Sequence, residues 1–364
     1  MSTSVKRWVP FASVPLVAVA AAIAIPLSTN AAQELPEKTP QELLEFVAAS
    51  DVDAFSGEFT QTSDLGLPDL SGLGGGAAPG GDGSSLASAL MEIATASHDA
   101  RVYLDADRGA RLQVLDRLAE RDVIATEDDG VWVYDSSEKT ALHLTPEDDG
   151  SGAPDGADGP SSDVPSPSSV AEDLLSSLDE TTTVAVGSTA TVAGRSAYEL
   201  ILTPRDEGSL VGDVSISIDG ETGLPLGVAV TAEGASSPAL SVAYTSIDFS
   251  MPDADLFSFT PPSGVEVTEK TVPTDHASDS TDPDASDGPV APDVTTTGSG
   301  WATIVELPAG EESAPDGLEG LEGVTTAVDG GRVLSSALVN VLFTDDGRVL
   351  AGAVSVEALE SAAR

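Results

Sequence analysis

Carboxylates are the commonest groups in this chain that could do chemistry: 61 Asp and Glu stand against 15 Lys and Arg, with three His and no Cys. Paired carboxylates can move protons or hold calcium, and Asp128-Asp129 and Asp345-Asp346 are such pairs. Both precede Gly, which marks a hairpin turn. Asp105, Asp107 and Asp116 echo a calcium loop, but Ala110 sits where its sharp turn needs Gly and Asp stands where a bidentate Glu closes it. His98 and His143 fall on expected strands or their ends, His276 falls in an acidic stretch, and none pairs with another at metal-ligand spacing. The absence of Cys excludes disulfides, thiolate metal sites, a Cys nucleophile and an acylated N-terminal Cys. G-x-S-x-G, G-x-x-x-x-G-K-[ST] and H-E-x-x-H are also missing. The expectation is therefore no catalytic residue, no metal and no cofactor. A hydrolase built on a carboxylate pair is the enzymatic alternative, without a visible base or nucleophile.

A formal charge of −46 repels phosphate backbones and anionic bilayers, so nucleic acid is not an expected partner. At the N-terminus, Lys6 and Arg7 precede an apolar run from Trp8 to Leu27 and the small residues Ser28 to Ala32. Residues 1–32 read as an export signal cleaved after Ala31 or Ala32, or as a retained membrane anchor, because the run is long for a signal peptide and contains three prolines. Either outcome places the rest outside the cytoplasm.

Three helices are expected. Thr39-Pro40-Gln41-Glu42 supplies a cap, a proline at the first position and a capping-box Glu before Leu43, Leu44, Phe46 and Val47, predicting a helix over about 40–50. Leu86, Leu90 and Ile93 suggest a second over about 85–96, and Ser169 with Glu172 a third. Between them the apolar period falls to two. Tyr198, Leu200 and Leu202, then Val214, Ile216 and Ile218, then Leu240, Val242 and Tyr244 each alternate with other residues, as in antiparallel strands buried on one face. Trp132 and Tyr134 share one face of a short strand and Val131 and Val133 the other. Such a strand lines a cavity on one side, or is covered on both sides by helices. The order of elements predicts an α+β fold, a curved antiparallel sheet with helices on its concave face.

Particular segments resemble the strands of LolA-type lipoprotein carriers. They are Asp129-Gly130-Val131-Trp132-Val133-Tyr134-Asp135 with Lys139-Thr140-Ala141, Gly194 through Pro204, Ile216 through Asp219 with Thr222-Gly223-Leu224-Pro225-Leu226, and Asp255 through Val267, which looks like the closing strand with its Phe-x-Phe and prolines. The superfamily includes LolA, LolB and RseB-type regulators. The resemblance covers about residues 36–270 and implies an incomplete β-barrel whose apolar interior accepts acyl chains. Expected lining residues are Leu43, Leu44, Val47, Leu90, Ile93, Trp132, Tyr134, Tyr198, Leu200 and Leu202. No motif fixes the carriers' functional arginine; Arg101, Arg111 and Arg117 qualify by strand location.

The expected organisation is a half-barrel domain over 33–271, an acidic linker over 272–298 and a small α+β module over 299–364, the last beyond the resemblance. The resulting expectation is a monomeric, non-enzymatic carrier or sensor for a lipid or acylated lipoprotein. The alternative is an RseB-like regulator whose partner is a membrane protein.

Overall fold

The computed structural model describes residues 35–66, 97–115, 119–126, 129–146, 166–178, 180–206, 208–272, 294–308 and 323–364. The expected helix over 85–96 lies outside them, as do residues 1–34.

Helix α1 (Pro40–Ala48) begins where the sequence puts it: the Thr39 hydroxyl accepts from Glu42 N (3.3 Å) and the Glu42 carboxylate accepts from Thr39 N (2.8 Å). Helix α2 (Pro167–Ser176) starts earlier than predicted. Ser166 is its cap and Ser169 its capping-box partner, with Pro167 in the first turn, so Glu172 lies inside the helix and not at the capping-box position. The hydroxyl-Pro signal that located α1 as Thr39-Pro40 was present here too, as Ser166-Pro167.

Thirteen strands form one sheet. Strands β1 (Ala54–Ser63), β2 (His98–Asp105), β3 (Gly109–Leu115), β4 (Glu120–Thr126), β5 (Gly130–Asp135) and β6 (Thr140–Pro146) make one meander. Strands β7 (Thr182–Val186), β9 (Arg195–Pro204), β10 (Val211–Asp219), β11 (Pro225–Ala232) and β12 (Pro238–Asp248) make the other, with β8 (Ala190–Val192) beside β9. The antiparallel pair β1–β12 joins them, and the sheet does not close. At that seam Gly57 is required, because a Cβ there would lie 2.6 Å from the Tyr244 ring. Tyr244 in turn meets Phe55 and Phe59 edge to face at 6.0 Å.

Leu43 of α1 and Ala171 of α2, both at 0% exposure, pack with Leu200, Leu202, Ile216, Ile218 and Leu240 in one core. The two helices therefore fill the concave face of the β7–β12 half. A buried ion pair fixes the turn after β10: Asp219, 1% exposed, accepts from Arg195 Nε (2.7 Å) and Nη2 (2.9 Å) and from Thr222 N (2.9 Å). Burial alone would push this carboxyl up, but the Arg195 and Thr222 bonds outweigh it and hold the group below its ordinary value. A depressed folded value gives stability that is present above the unfolded value, about 3.9, and is lost as pH falls through the folded one. Asp219→Ala is expected to cost about 3 kcal/mol at neutral pH by removing the buried carboxylate that Arg195 grips, leaving it only the exposed Glu221. As pH falls through the folded value, below the ordinary carboxylate range, the gap between variant and parent should shrink, since the parent loses the same contact. Denaturation midpoints against pH check this; a gap that stays constant from neutral to acid would refute it.

The segment resembling a closing strand is not one. After β12 the chain forms a 3₁₀ turn (Ala254–Phe257) and crosses the outer face of β3–β6, then makes β13 (Glu266–Val272) parallel to β6. Pro261 and Pro262 lack the N–H groups that a ladder would use.

Residues 294–364 build a second, six-stranded sheet: β14 (Thr295–Thr297), β15 (Ile304–Leu307), β19 (Val349–Gly352), β18 (Asn340–Thr344), β17 (Gly331–Ser335) and β16 (Thr326–Val328), in that order. Its first strand lies in the stretch read as linker, and Trp301 sits in a 3₁₀ turn ahead of β15. Ser355 caps helix α3 (Val356–Ala362), whose Leu359 is fully buried with Ile304, Leu342 and Leu350. The module is also welded to the large sheet. Leu338, 1% exposed in the β17–β18 turn, belongs to the main core. Ala337 N donates to Leu65 O, Leu210 N to Ala353 O and Trp301 Nε1 to Thr182 Oγ1, each at 2.8 Å.

Candidate functional site

Alternation along each strand assigns its side chains to one face. On the concave face the register aligns Leu112 with Val123, Val123 with Val133 and Val133 with Leu142; one step along, Ala125, Val131 and Leu144 form the next row. Val123, Val131, Val133, Leu142 and Leu144 are all half-buried. The same face of β9–β12 is closed: Leu200, Leu202, Ile216 and Leu240 are at 0% exposure beneath α1, α2 and Leu338. Arg121 and Asp135 pair at the rim of the half-buried strip. Burial pushes the Asp135 carboxyl up, but bonds from Ser137 and Glu138 and the charge of Arg121 bring it below its ordinary value.

The expected lining residues separate into three groups. Leu43, Tyr198, Leu200 and Leu202 lie in the closed core, with Leu44 and Val47 packed against it. The Tyr198 hydroxyl donates to Pro36 O (2.8 Å), fixing the segment before α1. Leu90 and Ile93 lie outside the described residues. Trp132 and Tyr134 point to the outer face, away from Leu43 and Leu200, because Val131 and Val133 occupy the concave side. The outer cover is the coil after β12, so the strand is covered on that side without a helix.

That outer cluster has its own logic. Trp132 stacks on His143 (3.9 Å between centroids, 6° between planes) and donates Nε1–H to Asp129 Oδ2 at 2.8 Å. Phe259 packs on both Trp132 and Tyr134. Arg111 clamps the crossing segment, donating to Leu256 O (3.2 Å) and to Asp122 Oδ2 (2.6 Å). Burial pushes the Asp122 carboxyl up, more than Arg111 lowers it. Arg111 is thus consumed on the outer face, Arg101 pairs with Glu58 at 2.8 Å, and Arg117 lies outside the described residues.

A depression of about 380 Å³ also lies at the β1–β2–β12 seam, lined by groups including Glu58, Arg101, Tyr103 and Asp248. Its charges and hydroxyls do not suit an acyl chain. Among the described residues, no group of three or more His, Asp or Glu could hold a metal ion. Among the same residues, no helix is long and apolar enough to cross a membrane.

The strip on β4–β6 was partly legible. Leu142 and Leu144 alternate with Ala141 and His143, and Val131 and Val133 stand opposite Trp132 and Tyr134. Only the choice of face was missing.

A large, open, curved sheet with helices on its concave face is the architecture implied by the LolA-type resemblance. Comparison with known proteins finds no matching family model and no matching curated protein. Among solved structures the chain is similar to MucB of the Pseudomonas aeruginosa MucA/MucB complex, at 19% identity and a TM-score of 0.44, covering 88% of this chain and 96% of that one. MucB in complex with MucA(peri) matches at 17% identity and 0.44, with the same coverage. A LolA superfamily protein from Nitrosomonas europaea matches at 11% identity and 0.23, covering 61% of this chain and 99% of that one.

Proposed function

We propose that this chain is an exported, non-enzymatic carrier or sensor that holds a lipid or lipoprotein acyl chain against the concave face of β4–β6. The observation that supports this is the asymmetry of that face. Beneath α1, α2 and Leu338 the side chains of Leu200, Leu202, Ile216 and Leu240 are fully closed off, whereas Val131, Val133, Leu142 and Leu144 stay half-exposed on a strip with no charged side chain between them. Each acyl CH₂ removed from water there gains about 0.8 kcal/mol, so binding needs no reactive group. The test is native mass spectrometry of the protein purified gently from its exporting host, followed by organic extraction. A stoichiometric lipid or acylated peptide is expected. A protein that emerges empty and also ignores added acyl probes would end this reading.

Regulation through a membrane-protein partner is the second reading. The module over 294–364 favours it, because the carrier resemblance ends near residue 270 and gives that module no task. Partner capture by the intact chain, unaffected by emptying the acyl strip, would select this reading.

A further inference from the structure

The large sheet ends on β13, a strand that does little for the core. Residues 266–271 are all exposed, and Val267, at 43%, is one of two large apolar side chains exposed among the described residues. Among the described residues β6 is its one ladder partner in the sheet, so among them its other edge presents unpaired N–H and C=O groups. Glu266 N donates to Lys139 O (2.9 Å), which turns Glu266 toward β6 and, by alternation, Thr268 and Lys270 with it. Val267, Glu269 and Thr271 therefore direct their backbone groups outward.

Natural sheets usually guard such an edge with charge, and Lys is the commonest guard. Here the charges are arranged to match a copy of themselves. The run Glu266-Val267-Thr268-Glu269-Lys270 reads acid, hydroxyl, base along one face, at two-residue spacing. We propose that β13 pairs antiparallel with β13 of a second copy of this chain, about a two-fold axis passing between the two Thr268 residues. In that register Glu266 of each copy faces Lys270 of the other, twice over, and like charges never stand directly opposed. Val267 and Glu269 become the pair that exchanges two backbone hydrogen bonds, which is the outward direction that the β6 ladder already imposes. The two Val267 side chains become diagonal neighbours across the axis, covering apolar surface that a single copy leaves in water. Moving the axis to Glu269 would oppose that carboxylate to itself, and moving it to Val267 would remove both Glu266–Lys270 pairs, so charge complementarity selects the Thr268 axis. The contact is self-complementary, closes as a dimer and leaves the concave strip untouched. It replaces the monomer that the sequence predicts.

The absence of Cys makes the register directly testable. Opposed residues in a non-hydrogen-bonded pair lie about 4.5 Å apart at Cα, inside the roughly 4.4–6.8 Å that a disulfide spans. Thr268→Cys in the exported chain should form a disulfide-linked dimer under mild oxidation. Val267→Cys, whose opposite number is Glu269, should crosslink far less. Sedimentation velocity of the unsubstituted chain at rising concentration should show a species of doubled mass. Lys270→Glu should abolish it by setting Glu against Glu, and adding Glu266→Lys should restore it. Circular dichroism confirms that each variant is folded. A folded Thr268→Cys protein that stays monomeric under oxidation, or a dimer indifferent to the Lys270→Glu reversal, would overturn the proposal.

Discussion

Leu338→Asp is expected to unfold the large sheet as well as the module that carries the residue. Leu338 comes from the β17–β18 turn, yet it belongs to the same buried core as Leu43 and Leu200, and it is 1% exposed. Truncating such a leucine to alanine costs about 2–5 kcal/mol. Inserting an unpaired carboxylate costs more, since the charge must be desolvated or neutralised. Total stability of a domain is about 5–15 kcal/mol, so the change removes most of it. Deleting 294–364 should act in the same way, by uncovering the core and by taking away the carbonyl of Ala353 and the indole of Trp301, which bond to Leu210 and Thr182. Hydrogen exchange at the β9 and β10 amides is the measurement. Protection that survives Leu338→Asp would show two independent domains and refute this coupling. A deletion of the module is therefore a poor test of partner binding, because it damages the core beneath.

The second large effect concerns position 200. If Leu200 lined an open site, Leu200→Asp would yield a folded protein that no longer retains lipid. The structure places Leu200 at 0% exposure between Ile216 and Val186 in the ladder, so the charge meets packed side chains and no solvent. Loss of the fold is expected instead, with a cost of several kcal/mol. Val133→Asp and Leu142→Asp carry the functional test. Both positions are half-buried, so a carboxylate can reach water, and both lie across the strip proposed to hold the acyl chain. These variants should fold with near-parental melting temperatures and lose the co-purified lipid. Retained lipid in folded Val133→Asp protein would remove β5 from the site. Unfolded Val133→Asp protein would show the strip to be ordinary core.

How far the sequence could be read depended on how local each signal was. Helix α1 was legible because its cap, proline and capping-box Glu lie within four residues and act on one another directly. Strands β9, β10 and β12 were legible because alternation is a property of the strand itself. The start of α2 was misread although its Ser-Pro cap was in plain view, since Ser169 offered a competing box with Glu172. The segment Asp255–Val267 was misread for a different reason. Its Phe-x-Phe looks like strand alternation, but the Phe259 ring covers Trp132 and Tyr134 from outside, a contact made with residues more than a hundred positions away.

By itself the sequence determined the absence of cysteine chemistry, the positions of β5, β9, β10 and β12 and a curved, largely antiparallel sheet, because each follows from residue type or from a period of two. The tertiary structure decided which face of each strand is inside. Alternation divides Trp132 and Tyr134 from Val131 and Val133 but does not say which set turns to the helices; that depends on what covers each side. It also decided that Leu338 completes a core formed by residues far earlier in the chain, and that the closed concave half and the half-buried strip are parts of one face. Those outcomes rest on which distant surfaces meet, and packing between elements sets them where local periodicity cannot.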